Sequence, residues 1–157
     1  MHELVDFLRS RGMRCFRSYR DDEYFFVVDC VYPGDPAAYR GRLFVNLQVG
    51  EDGAIQVTAT PDRFYPADVR TRLAAVAAAW DPGGAHGLDI DTSVHESSDP
   101  TRVGATVVTR ACPVGLTAAT EFVERAVACA IELFGRLNSV APARSAPAGP
   151  ASLADAG

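Results

Sequence analysis

The chain has 157 residues, 48% of them hydrophobic, which is enough for one domain with a proper core and too few for two substantial ones. Fifteen arginines and no lysine stand against 20 acidic residues, and the net charge of -5 argues against a broad nucleic-acid footprint; an all-arginine complement fits a GC-rich coding bias better than phosphate recognition. The N-terminal MHELVDFLRSRGM has charges every few residues and no apolar signal core, and no apolar run approaches membrane-spanning length, so a cytoplasmic chain without membrane insertion is expected.

In chain order, Leu4, Val5, Phe7 and Leu8 form one face of a short helix over roughly 2–11, which Gly12 can end in a left-handed cap. RCFRSY and EYFFVVDCVY then read as strands around the polar RDD turn, the second apolar on both faces and therefore expected to be central. If this hairpin turns between Asp22 and Glu23, Cys15 lies opposite Cys30, although free thiols are expected in a reducing compartment. RLFVNLQV and AIQVTAT flank GEDG, and matching Val45, Leu47 and Val49 to Ala59, Val57 and Ile55 makes every pair sum to 104. That register leaves Glu51-Asp52-Gly53 as a three-residue loop with glycine at the left-handed position.

Pro66 suits the first turn of a second helix, in which Val69, Leu73, Val76 and Trp80 recur as a core stripe. Asp81-Pro82-Gly83-Gly84 stops it. Thr71, Ala75, Ala78 and Ala79 lie opposite the stripe, a smooth face on which another helix could approach closely, although alanine is also simply the best helix former. A hairpin over 88–110 follows, with Leu88, Ile90 and Val94 matched to Thr109, Val107 and Val103 at a sum of 197 and Ser97-Ser98-Asp99-Pro100 as the turn. The last helix begins near Leu116 or Thr117, with Thr120 as a weaker cap. It should bury Val123, Val127, Ala130, Phe134 and Leu137 and expose Glu121, Arg125, Glu132 and Arg136. From Ser139 the composition turns to alanine and proline without apolar periodicity, so residues 1–138 are expected to fold and 139–157 to form a disordered tail.

The hairpin register decides the reactive-looking residues. His86 falls opposite Ala111 on the core face while Cys112 points the other way, so they cannot form a dyad. Asp89, Asp91 and His95 share a face, but Asp91 and His95 are roughly 13 Å apart along an extended strand, too far for one metal ion. That face also places Arg102 opposite His95 and Arg110 diagonal to Asp89, and such cross-strand pairs explain the row as the wet side of a half-buried sheet. Gly83-Gly84-Ala85-His86-Gly87 follows a helix and enters a strand, the reverse of the order a phosphate loop requires. The four cysteines include no CxxC pair and the histidines lack zinc-finger spacing; no hydrolase, nucleotide-loop or zincin motif is present, so no catalytic residue, metal or cofactor is expected.

Two local elements carry a family resemblance. The helix end Ala78-Ala79-Trp80-Asp81 is similar to the Asn-Glu-Trp-Asn-like step of YbjN-domain proteins, sharing the tryptophan but not the asparagines. The strand ending in Cys112-Pro113-Val114 and leading into GLTAATEFVERAVACAIELFGRL resembles that family's proline-ended strand and long final helix. The resemblance spans about residues 2–138. It implies the α+β fold of type III secretion chaperones: an antiparallel sheet with helices packed on it, in the order α-ββββ-α-ββ-α.

It also implies a noncatalytic, chaperone-like or regulatory adaptor for an unknown client protein. A homodimer through Thr71, Ala75, Ala78 and Ala79 would follow, since type III secretion chaperones commonly dimerise through this region. The alternatives are a small-molecule-binding regulator with a pocket between sheet and helices, and a thiol enzyme using Cys112 or Cys15.

Overall fold

A computed structural model of the chain describes residues 2–10, 13–17, 23–33, 40–80 and 88–141. The elements are α1 (His2–Ser10), β1 (Arg14–Arg17), β2 (Glu23–Val31), β3 (Arg40–Val49), β4 (Ile55–Pro61), β5 (Tyr65–Pro66), a 3-10 turn (Ala67–Val69) running into α2 (Arg70–Ala79), β6 (Asp89–Glu96), β7 (Arg102–Ala111) and α3 (Leu116–Val140). The expected α+β order is therefore found, with the two-residue β5 added before α2. All pairings are antiparallel, in the order β1-β2-β3-β4-β7-β6, while β5 prolongs the β4 side of β7.

Strand alternation sorts the sheet into two faces. Tyr24, Phe26, Leu43, Val45, Leu47, Ile55, Val57, Ala59, Val103, Ala105 and Val107 are buried and point toward the helices. β3 and β4 pair in the register read from the sequence, Val45 with Ala59, Leu47 with Val57 and Val49 with Ile55. Gly53, at φ 84°, closes their loop and donates to the Gly50 carbonyl at 3.0 Å, a conformation that costs a side chain roughly 1 kcal/mol or more.

α3 closes the core, with Val123, Val127, Ala130, Phe134 and Leu137 buried as its periodicity requires. Its buried surface is broader than one stripe, because Phe122, Ala126, Cys129 and Leu133 are covered too; α1, α2 and the sheet all contact this helix. Phe134 meets the edge of Tyr32 at 6.5 Å between ring centres, and the Tyr32 hydroxyl donates to the Arg42 carbonyl at 3.0 Å. One turn further on, Asn138 is fully buried and its Oδ1 accepts from the Tyr65 hydroxyl at 2.8 Å.

Several expectations are corrected. Cys15 pairs in register with Phe26, not Cys30, because β1 and β2 are offset by four residues from the tight-turn pairing; Cys30 lies opposite Gly41 and is a free thiol. β2 is interior to the sheet but covered on one face only, leaving Phe25 41% and Val31 51% exposed. β6 and β7 pair two residues out of the expected register, Ile90 with Thr109 and Val94 with Ala105. The longer turn is held by Asp99 and Ser97, and a two-residue slip preserves which side chains share a face.

Along α2, Leu73, Ala77 and Trp80 are buried while Val69 and Val76 are half-buried, so the stripe is rotated slightly toward Ala77. The helix ends at Ala79 with Trp80 already extended. α3 continues through Val140, and Ala141 is buried, so the folded part passes the expected boundary at 138. The Gly12 cap, the 81–84 stop, the 83–87 loop with His86, and residues 142–157 lie outside the described residues.

Candidate functional site

With α1, α2 and α3 gathered on one side, the opposite side of the sheet remains uncovered among the described residues. Its side chains fall into rows fixed by strand register. The first row runs Glu23, Gln48, Gln56 and Arg110 across β2, β3, β4 and β7, and ends at Asp89 on β6. The Gln48 amide donates to Glu23 at 2.8 Å, Gln56 donates to Gln48 at 3.2 Å, and Arg110 Nε donates to Gln56 at 3.0 Å. This chain of hydrogen bonds is held between a carboxylate at one end and a guanidinium at the other.

The next two rows carry no charge across those four strands: Phe25, Asn46, Thr58 and Val108, then Val27, Phe44, Thr60 and Thr106. Phe25 and Phe44 are each 41% exposed. The fourth row restores charge with Asp29 opposite Arg42, whose backbone N–H donates to Asp62 at 2.9 Å. Between β6 and β7 the His95 ring lies over Gly104, where any Cβ would collide with it, and Nε2 is 2.9 Å from the Thr106 hydroxyl. An apolar and amide centre rimmed by charge is the composition of a protein interface.

Beside Asp29 and Arg42 an open depression of about 700 Å³ is also lined by Cys30, Val31, Gly41 and Asp62. Burial pushes the Cys30 thiol up despite its bond to Tyr32, with help from the Asp62 and Asp29 charges. Burial likewise pushes Cys129 up to about 11. Both thiols are thereby poor nucleophiles near neutrality. Cys112 is exposed.

Asp89, Asp91 and His95 do share the open face. Asp89 stands directly opposite Arg110 and His95 opposite Gly104, where the sequence register had Arg110 diagonal to Asp89 and Arg102 opposite His95. Among the described residues no group of three or more His, Cys, Asp or Glu side chains is placed to hold a metal ion. Thr71, Ala75, Ala78 and Ala79 are all exposed on α2, on the helix-bearing side of the sheet. No helix of the described residues is long and apolar enough to cross a membrane.

The sequence reading missed the first row, although half of it was within reach: the sum of 104 pairs Gln48 with Gln56. Extending it to Glu23 and Arg110 required the β2–β3 and β4–β7 registers, which no short turn fixes. No family model, curated protein or solved structure matches this chain.

Proposed function

We propose that the protein is a noncatalytic protein-binding adaptor of the YbjN, type III secretion chaperone-like kind. The observation that supports this most is the uncovered sheet face, where two uncharged rows with the half-exposed Phe25 and Phe44 lie between charged rows. Such a surface is broad and flat, suited to another protein and poorly suited to enclosing a small substrate. The suppressed Cys30 and Cys129 thiols make poor nucleophiles, which leaves Cys112 and Cys15 as the thiols a thiol-enzyme reading would use. A small-molecule role would instead draw on the depression beside Cys30, and a ligand screen by thermal shift separates it, since binding there raises the melting temperature.

Within this reading the exposed Thr71, Ala75, Ala78 and Ala79 face of α2 is a second contact surface, as the chaperone resemblance implies. The test is crosslinking capture in the native host with wild type, Phe44→Asp, and Ala75→Arg with Ala78→Arg. Loss of a defined captured protein on Phe44→Asp, with melting unchanged, supports the adaptor role of the sheet. A captured set indifferent to both variants overturns it.

A further inference from the structure

The rows of the open face are complementary to themselves, and we infer that a second copy of this chain packs against it, sheet to sheet. The inference rests on that face being a protein interface and names the first partner it takes. Consider a two-fold axis lying in the interface, parallel to the strands and midway between β3 and β4. It exchanges β2 with β7 and β3 with β4 while leaving each row in place. Glu23, at the β2 end of the first row, then faces Arg110 of the partner, and Arg110 faces the partner's Glu23. Gln48 faces Gln56 of the partner, pairing amide with amide.

In the uncharged rows Phe25 faces Val108 and Phe44 faces Thr60, so aromatic rings meet shorter side chains and can interdigitate. The β4–β7 pairing ends at Ala59 with Val107, so the complementarity is carried by the first three rows. The charges at the β2 and β7 positions of the first row thus each meet an opposite charge, an arrangement that an axis perpendicular to the strands does not produce.

Size agrees with this. Five strands about 4.8 Å apart, β2, β3, β4, β7 and β6, with outward rows about 7 Å apart make a face of roughly 650 Å² per copy, within the scale of a stable protein interface. Within one chain Glu23 and Arg110 are three strand spacings apart, roughly 14 Å, so they cannot pair directly without a second copy. The glutamine ladder holds both in place beforehand.

Sedimentation of the full chain across a concentration series tests this. Wild type is expected to dimerise in the micromolar range. Glu23→Arg or Arg110→Glu places like charges face to face twice per dimer and should weaken association by at least about tenfold. The double variant E23R/R110E should restore it, because the two amides can flip and reverse the ladder. Phe44→Asp, at a half-exposed position, should also dissociate the dimer and serves if a charge variant fails to fold. Arg125→Glu, exposed on α3 on the other side of the sheet, should leave this association unchanged.

A wild type monomeric into the high micromolar range, or a double swap that fails to restore association, overturns the inference. If that monomer still captures a protein in a Phe44-dependent way, the adaptor reading stands and only self-association is lost. If capture is also indifferent to Phe44→Asp, both fall.

Discussion

At the scale of single residues, Gly135 of α3 lies close against Pro33, at the exit from β2. A Cβ added to Gly135 would run into the Pro33 carbonyl oxygen, and its Cδ lies within the same contact. Alanine is the better helix former by ~1 kcal/mol, so propensity alone forecasts a stabilised Gly135→Ala. The clash acts the other way, because backbone on both sides must shift, and overpacking of this kind costs ~1–3 kcal/mol. Gly135→Ala should therefore lower the melting temperature by several degrees, read by circular dichroism; a rise would mean that α3 does not approach Pro33 this closely. None of this was visible in the sequence, where Gly135 sits between Phe134 and Arg136 with no periodic signal to mark it. A glycine chosen for close approach depends on a neighbour 102 positions away, and only the assembled fold supplies it.

Elements show where sequence reasoning holds. β3 and β4 were legible to the residue because a three-residue loop ending in Gly53 leaves one register in which both buried faces match. β6 and β7 were legible only in their faces. A two-residue slip keeps every side chain on its side, so hydrophobic matching cannot detect it, and turn chemistry must decide. Ser97-Ser98-Asp99-Pro100 read as a complete turn; instead Asp99 organises the longer segment, accepting from the Thr101 hydroxyl at 2.7 Å and the Thr101 N–H at 2.9 Å.

These bonds, the hydroxyl foremost, hold the Asp99 carboxyl below its usual range, with Arg102 adding a smaller effect. A depressed carboxyl contributes stability above its unfolded pKa of ~3.9 and loses it as pH falls from there through the folded value. Asp99→Asn should thus melt below wild type at pH 7, and the gap should close under about pH 4. A gap constant from pH 7 to pH 3 would show that the charge of Asp99 is irrelevant to the turn. The open-face rows were harder still, since they depend on three registers at once, only one of which a short loop fixes.

For the whole molecule, the last helix runs through Val140, past the boundary at 138 that composition suggests. Apolar periodicity fades after Leu137, yet the last turn of α3 is tied down by means that periodicity does not record. Asn138 is buried against Tyr65, Ser139 Oγ donates to the Gly135 carbonyl at 3.1 Å, and the buried Ala141 donates its N–H to Leu137 at 3.0 Å. Residues 142–157 contain alanine, proline and serine with Leu153 as the one large apolar side chain, so their sequence offers little apolar surface to bury. Two truncations separate these contributions. Ending the chain after Ala141 should leave the melting temperature nearly unchanged. Ending it after Asn138 removes the last turn, exposes the end of the Leu137 stripe and leaves Asn138 at a frayed terminus, which should cost roughly 1–2 kcal/mol, or several degrees. If the first truncation alone lowers stability by more than ~1 kcal/mol, a large part of ordinary marginal stability, the segment after Ala141 docks on the domain. The open sheet face would then be the first surface to examine: Phe44→Asp in the full chain should reproduce the loss at every protein concentration if the segment lies there, whereas a loss confined to concentrations at which the chain self-associates marks a second copy.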